Sequence, residues 1–158
     1  MKRILSHALL ALACMIAGGA AAATLPYAAA ADARADVRNA QQRAAQTHRL
    51  VLLVFGANWC EDCRALDRAF HAGDTAALLA REFEVVKIDV GNFDRNLDVA
   101  QAYGDPVAKG IPAAVILSPS NRILYTTRAG ELADARRMTA AGVHDFFVSA
   151  ATAARQTR

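Results

Sequence analysis

The chain has 158 residues, of which 54% are hydrophobic and 21% are charged, as is typical of one domain with a single core. Nine glycines and four prolines exclude a collagen-like fibre, and the content of large apolar residues excludes intrinsic disorder. The formal charge is +3, but Lys2 and Arg3 contribute two of the positive charges at the N-terminus. The remainder is close to neutral and lacks the charge pattern of a protein that binds nucleic acid or anionic lipid.

Residues 1–31 are predicted to be a secretory signal peptide, followed by one domain over residues 32–158. Lys2 and Arg3 precede an apolar run from Ile4 to Ile16, and small residues follow. Three cleavage positions fit the Ala-x-Ala pattern: Ala21-Ala22-Ala23, Ala29-Ala30-Ala31 and Ala31-Asp32-Ala33. The segment predicts export to the periplasm, with no membrane insertion after cleavage. The alternative is an uncleaved anchor that holds the domain on the periplasmic side of the membrane.

The first cysteine, Cys14, lies inside this N-terminal segment. Its surroundings resemble a lipoprotein signal only loosely, because apolar sequence continues beyond it. We therefore predict an unmodified cysteine in a removed segment, with lipidation as the alternative. The mature chain then retains Cys60 and Cys63, a pair that an oxidising compartment can convert to a disulfide.

The hydrophobic pattern of the mature chain predicts helices that alternate with strands. In chain order, we expect a helix at 33–46, a strand at 50–55, helices at 61–70 and 74–83, a strand at 84–90, a helix at 96–103, strands at 113–118 and 122–127, and a final helix. Asp74 and Thr139 are the expected N-caps of the third and the last helix. This order predicts an α/β fold in which helices flank a central mixed β-sheet, with an extra helix at the N-terminus.

Residues 59–64 are the strongest candidates for chemistry. They read Trp59-Cys60-Glu61-Asp62-Cys63-Arg64 and lie where a buried strand leads into a helix. Cysteines spaced i, i+3 share one helical face and are close enough to form a disulfide. Cys60 stands at the helix start, where unpaired N–H groups stabilise an anion, so it is the predicted nucleophile. Cys63 is the predicted resolving thiol.

A metal site is the main alternative use of this cysteine pair. A structural zinc ion usually has four Cys or His ligands, and none of His48, His71 and His144 has tight ligand spacing with the pair. We therefore predict no metal and no cofactor, since electrons can move through the cysteines themselves. A metal chaperone and a purely structural disulfide remain weaker alternatives.

Residues 54–64 resemble the active-site segment of the thioredoxin superfamily, in which a buried strand runs into Trp-Cys-x-x-Cys at a helix start. Gly110-Ile111-Pro112, before the strand at 113–118, is similar to a second landmark of that family. The resemblance covers roughly residues 36–150 and implies an exported thioredoxin-like fold. It implies that Pro112 is cis and packs beside the cysteines, and that Trp59 shields the disulfide and meets the substrate. It also implies that Ile111 presents its backbone to an extended substrate segment.

The sequence departs from the family pattern at three positions. Glu61 and Asp62 stand where family thioredoxins have Gly-Pro, and two carboxylates disfavour a neighbouring thiolate. We therefore expect these residues to modulate Cys60 towards a reducing or middling potential. Val54 occupies the position of a buried Asp that assists proton transfer in thioredoxins, so proton transfer here must use Glu61, Asp62 or water.

The resemblance and the residues together predict a monomeric, exported thiol–disulfide oxidoreductase. It would exchange its Cys60–Cys63 pair with disulfides of client proteins, in the reducing direction. The family suggests a membrane electron-transfer protein as the electron donor. The alternatives are a periplasmic disulfide oxidase or isomerase, and a non-catalytic binding module on a thioredoxin scaffold.

Overall fold

A computed structural model describes residues 25–157, which form a four-stranded sheet with helices on both faces. The elements are, in chain order, α1 (Ala33–Thr47), β1 (Leu50–Gly56), α2 (Glu61–Phe70), α3 (Gly73–Glu82), β2 (Phe83–Asp89), α4 (Leu97–Ala102), a 3₁₀ helix (Pro106–Lys109), β3 (Ala113–Leu117), β4 (Ile123–Thr126), a second 3₁₀ helix (Ala135–Arg137) and α5 (Ala140–Gln156). The predicted fold class is confirmed, including the additional N-terminal helix.

The strands lie in the order β2-β1-β3-β4. β1 runs parallel to β2, so that Leu50 lies opposite Phe83 and Gly56 lies opposite Asp89. β3 is antiparallel to β1 and also to β4, which completes the mixed sheet. Because helices cover both faces of β1, all seven of its residues are buried, and this explains its uninterrupted apolar sequence.

Successive side chains of β1 point to opposite faces of the sheet, and this divides the core into two layers. Val51, Leu53 and Phe55 point to the layer that contains the buried stripe of α1. Leu50, Leu52 and Val54 point to the opposite layer, where α2, α3 and α5 pack. The active-site segment begins where β1 leaves the sheet between these two layers.

Two helix caps test the local predictions. Thr139 caps α5 as expected, since its hydroxyl accepts a hydrogen bond from the Gly142 N–H at 3.0 Å. The prediction that Asp74 caps the third helix is wrong, because the N-cap is Ala72 and the helix already begins at Gly73. Asp74 lies instead in the first turn, where a carboxylate still interacts favourably with the helix dipole.

The predicted apolar signal segment and Cys14 fall within residues 1–24, outside the described residues. Within residues 25–157, no helix combines the length and the apolar character that crossing a membrane requires.

Candidate active site

The two cysteines lie at the junction of β1 and α2, as the sequence predicts. Cys60 is the N-cap of α2, and its sulfur accepts a hydrogen bond from the backbone N–H of Cys63 at 3.1 Å. The two residues form a disulfide, with their Cα atoms 5.2 Å apart. Cys60 retains 6% exposure whereas Cys63 has none, so Cys60 is the sulfur that an approaching group can reach.

The segment before β3 lies directly against Cys60. The Ile111–Pro112 peptide bond is cis, as the resemblance implies. The Cys60 sulfur lies 3.6 Å from the backbone oxygen of Ile111. Gly110, which lines the same site, has a φ of 111°, a backbone conformation that side-chain-bearing residues rarely adopt.

A shallow open depression surrounds the exposed edge of Cys60. Five of the predicted site residues line it: Trp59, Cys60, Glu61, Asp62 and Ile111. The other lining residues come from later in the chain: Phe93, Gly110, Ala133 and Arg136. Pro112, which follows Ile111, and Cys63, which is bonded to Cys60, are both buried. The structure therefore brings all the sequence-predicted site residues together.

Two exposed aromatic side chains, Trp59 and Phe93, form an apolar rim on this depression. Their ring centroids are 6.3 Å apart, and they are 54% and 43% exposed. The Trp59 indole N–H donates a hydrogen bond to the backbone oxygen of Gly91 at 2.8 Å, which fixes the ring at the rim. Phe93 has a left-handed backbone conformation that is unusual for an aromatic residue and is common near functional sites. Sequence reasoning missed Phe93, because it stands alone in a polar loop.

The two acidic residues between the cysteines have different environments. The Glu61 side chain is 66% exposed, whereas Asp62 is buried against the second 3₁₀ helix. Asp62 accepts a hydrogen bond from the Arg136 backbone N–H at 2.9 Å. The Arg136 guanidinium lies 3.4 Å from a carboxylate oxygen of each acidic residue. The expected repulsion of a Cys60 thiolate by two unpaired carboxylates is therefore partly offset by Arg136.

Behind the cysteines, an ion pair occupies the region in which Val54 replaces the family's buried Asp. Val54 is itself buried in the core layer of α2, and its cross-strand partner on β2 is Lys87. The Lys87 ammonium pairs with the Asp67 carboxylate, one helical turn beyond Cys63. A carboxylate is therefore present near the buried cysteine, but α2 supplies it instead of β1.

The segment before α1 also reaches this site. The Asn58 side chain pairs with the backbone of Tyr27, accepting from its N–H at 3.0 Å and donating to its oxygen at 2.7 Å. The Tyr27 side chain is only 3% exposed. Burial raises the pKa of the Tyr27 phenol, and the nearby carboxylates of Asp67 and Asp89 raise it further. Sequence reasoning missed Tyr27 because it lies in the stretch assigned to the signal peptide.

Within the described part of the chain, no group of three or more His, Cys, Asp or Glu side chains is arranged to hold a metal ion. The chemistry that this arrangement can perform is a two-electron exchange between the Cys60–Cys63 disulfide and the corresponding dithiol.

The chain belongs to the thioredoxin-like family, whose sequence model matches residues 32–119. Among solved structures, it is similar to a disulphide isomerase from Xylella fastidiosa Temecula1, with 54% identity and a TM-score of 0.79. That match covers 81% of this chain and 98% of the other. The family and the cysteine pair together make the protein a thiol–disulfide oxidoreductase with a redox-active disulfide.

A more distant similarity concerns the fold alone. The oxidised C-terminal domain of DsbD from Neisseria meningitidis is 16% identical, with a TM-score of 0.51. The match covers 76% of this chain and 97% of the domain. A comparison with curated proteins gave no match.

Proposed function

We propose that this oxidoreductase is exported to the periplasm and reduces disulfides in client proteins. One observation carries the proposal: Cys60 lines an open depression at the start of α2, while Cys63 is fully buried. This arrangement suits an attacking and a resolving sulfur. Trp59, Ile111 and Pro112 shape the groove that receives the client.

The reaction takes place in two exchanges. The Cys60 thiolate attacks one sulfur of a client disulfide, which forms a mixed disulfide and releases the first client thiolate. The Cys63 thiolate then attacks the Cys60 sulfur, which closes the Cys60–Cys63 disulfide and releases the second client thiolate. The two client sulfurs gain two electrons and take up two protons from water. The cysteine pair loses the same two electrons.

The charges around Cys60 support the reducing direction. Glu61 and Asp62 carry two negative charges and the Arg136 guanidinium carries one positive charge, so the cluster retains one net negative charge. A net negative charge disfavours the thiolate and makes the dithiol a better reductant. Arg136 moderates this effect and places the expected potential towards the middle of the reducing range.

The proposal includes export to the periplasm and a source of electrons there. The charged N-terminus, the apolar run and the Ala-rich stretch support secretion into the periplasm. After each reaction, two electrons must reduce the Cys60–Cys63 disulfide to the dithiol again. The dithiol of a membrane electron-transfer protein is the proposed source of these electrons. An uncleaved segment that anchors the domain on the periplasmic side is the alternative to a free mature chain.

The deciding experiment is to measure the reduction potential of the mature protein in thiol–disulfide buffers. We expect a value nearer to about −270 mV, as in reducing thioredoxins, than to about −120 mV, as in dedicated oxidants. Reduction of insulin disulfides should be lost in Cys60→Ser. Cys63→Ser should instead accumulate the mixed disulfide. An oxidant-like potential would overturn the direction, and the lack of any reversible couple would favour a non-catalytic binding module.

Disulfide isomerisation is a second candidate function, favoured by the similarity to the disulphide isomerase from Xylella. An isomerase rearranges client disulfides without net electron transfer, so Cys60 alone can start the reaction and be expelled by a client thiol. Recovery of activity from scrambled ribonuclease distinguishes the two functions. Substantial activity of Cys63→Ser in this assay would favour isomerisation, whereas activity that needs both cysteines and an added reductant would favour reduction.

A further inference from the structure

Residues 25–32, which precede α1, bring a tyrosine to the buried side of the active site. The Asn58 amide holds the Tyr27 backbone through two hydrogen bonds, much as a neighbouring strand would. Asn58 immediately precedes Trp59 and Cys60 in the chain. The position of Tyr27 is therefore set by the active-site loop itself.

The Tyr27 hydroxyl and the Cys63 sulfur approach the same point above the Cα atom of Gly56. The hydroxyl oxygen fills the space that a Cβ atom on Gly56 would take, and the Cys63 sulfur lies 3.0 Å from that position. Any side chain at residue 56 would displace one of them. Glycine at the end of β1 thus makes room for a phenol beside the resolving cysteine.

A thiolate at Cys63 needs a hydrogen-bond donor, because it is fully buried and has lost its hydration. The charged groups near the Tyr27 phenol do not fill this role. Asp67 and Asp89 are carboxylates, and their cationic partners Lys87 and Arg95 already pair with them. The phenol remains available as a donor because burial and the two carboxylates raise the pKa of Tyr27.

We propose that the Tyr27 hydroxyl donates a hydrogen bond to the Cys63 thiolate and so accelerates the resolving step. The proposal rests on the two-step thiol exchange, but not on its direction. The Cys63 thiol first loses its proton, which ends in bulk water. Its sulfur then attacks Cys60, the bond between Cys60 and the client sulfur breaks, and the client leaves as a thiolate. Tyr27 keeps its proton throughout and is neither oxidised nor reduced.

The position of Tyr27 beside the active site has different consequences for the three possible cleavage positions. Cleavage after Ala23 leaves Tyr27 in the mature protein, whereas cleavage after Ala31 or Ala33 removes it. The proposal therefore requires cleavage at the first position, or none. The intact mass of the exported protein decides this point, and a mature chain that begins after residue 27 would overturn the proposal.

The kinetic test uses the full mature protein with a thionitrobenzoate group attached to Cys60 as a mixed disulfide. Release of the coloured thiolate reports the attack by Cys63 alone. In Tyr27→Phe, we expect release at neutral pH to be about tenfold slower, and the pH of half-maximal release to rise by about one unit. The attack of reduced Cys60 on a small aromatic disulfide, measured separately, should remain unchanged.

Tyr103→Phe is the matched control, because that hydroxyl bonds to Asn121 and lies away from the cysteines. It should leave the release profile unchanged. Asn58→Ala keeps the phenol but removes both bonds to the Tyr27 backbone, so it should shift the profile in the same direction by a smaller amount. Asn58→Ala therefore keeps the proposal testable if Tyr27→Phe folds poorly.

The outcomes separate this proposal from the proposed function. An unchanged profile in folded Tyr27→Phe would overturn the role of Tyr27 and leave the oxidoreductase activity intact. If the wild-type protein releases no thionitrobenzoate at any pH, the two-step exchange itself fails, whatever Tyr27 does.

Discussion

Arg136 donates its backbone N–H to the Asp62 carboxylate at 2.9 Å, although the two residues are 74 positions apart in the chain. The guanidinium of the same residue lies 3.4 Å from the second Asp62 oxygen and 3.4 Å from Glu61. This double contact ties the second 3₁₀ helix to the first turn of α2. The charge beside Cys60 is therefore set by the residues between the cysteines together with Arg136.

Replacement of Arg136 by alanine should make the protein a stronger reductant. The variant loses the positive charge that offsets Glu61 and Asp62, so the Cys60 thiolate becomes less favourable. Since the contacts of Arg136 with Glu61 and Asp62 are partly exposed to solvent, we expect the reduction potential to fall by on the order of 10 mV. Equilibration in glutathione buffers measures the change.

Arg137→Ala provides the control for this prediction. The Arg137 side chain is 75% exposed and contacts Asp134, 3.6 Å away, instead of the active-site acids. Its removal should leave the potential where it is in the wild-type protein. Equal shifts in both variants would mean that the overall charge matters, and not the contact with Asp62 and Glu61.

The apolar rim of Trp59 and Phe93 should contribute to binding of protein clients. Phe93→Ala removes an aromatic ring that is 43% exposed and packs beside Trp59, and it leaves both cysteines in place. We expect KM for a protein disulfide to rise about threefold to tenfold, because about 1 kcal/mol of apolar burial is lost. The rate with a small disulfide should not change.

Ile123→Ala is the corresponding control, since Ile123 is 40% exposed on β4 and does not line the depression. Steady-state insulin reduction and reduction of a small aromatic disulfide give the two sets of constants. A loss with both substrates in Phe93→Ala would indicate damage to the cysteines instead of a missing client contact.

The extent to which sequence predicts this site depends on the range of the contacts. Cys60, Cys63 and Trp59 are adjacent in sequence and share one strand–helix junction, so their proximity follows from local structure. Pro112 was predictable only because a second family landmark stands at the right distance along the chain. The fold class likewise follows from the order of apolar segments.

The contacts that sequence could not predict join residues that are far apart in the chain. Arg136 lies in a three-residue 3₁₀ helix that has no hydrophobic period, and its partner Asp62 is reached only through tertiary packing. Tyr27 stands among small residues that match a signal peptide, and nothing local indicates that Asn58 binds it. Asp67 lies in α2, where its pairing with Lys87 depends on the register of β2 against β1.

The stability of the domain should depend strongly on Phe147 of α5. This side chain is fully buried, with ring centroids 5.1 Å from Phe70 and 5.0 Å from Phe146 in edge-to-face geometry. Phe147→Ala leaves a cavity and should lower the free energy of unfolding by about 3–5 kcal/mol. Val148→Ala, at an exposed neighbouring position, should change it by less than about 0.5 kcal/mol. Urea unfolding of the oxidised proteins makes the comparison.

Alkaline unfolding of the oxidised protein should report the burial of Tyr27. In the unfolded chain, a tyrosine loses its proton near about pH 10. In the folded protein, burial and then Asp67 and Asp89 raise the pKa of Tyr27, so the phenol stays protonated to higher pH. The unfolded state therefore binds fewer protons above about pH 10, and stability falls there by up to about 1.4 kcal/mol per pH unit for this group.

Tyr27→Phe lacks this titration, so its free energy of unfolding should decline less steeply than that of the wild-type protein above about pH 10. Below that pH, the difference between the two proteins should be constant. Tyr103→Phe should flatten the curve less, because Tyr103 is only partly buried. Urea titrations followed by circular dichroism across this pH range measure the slopes. Parallel curves for wild-type protein and Tyr27→Phe would mean that the phenol is exposed in solution and that residues 25–32 do not dock against the active site.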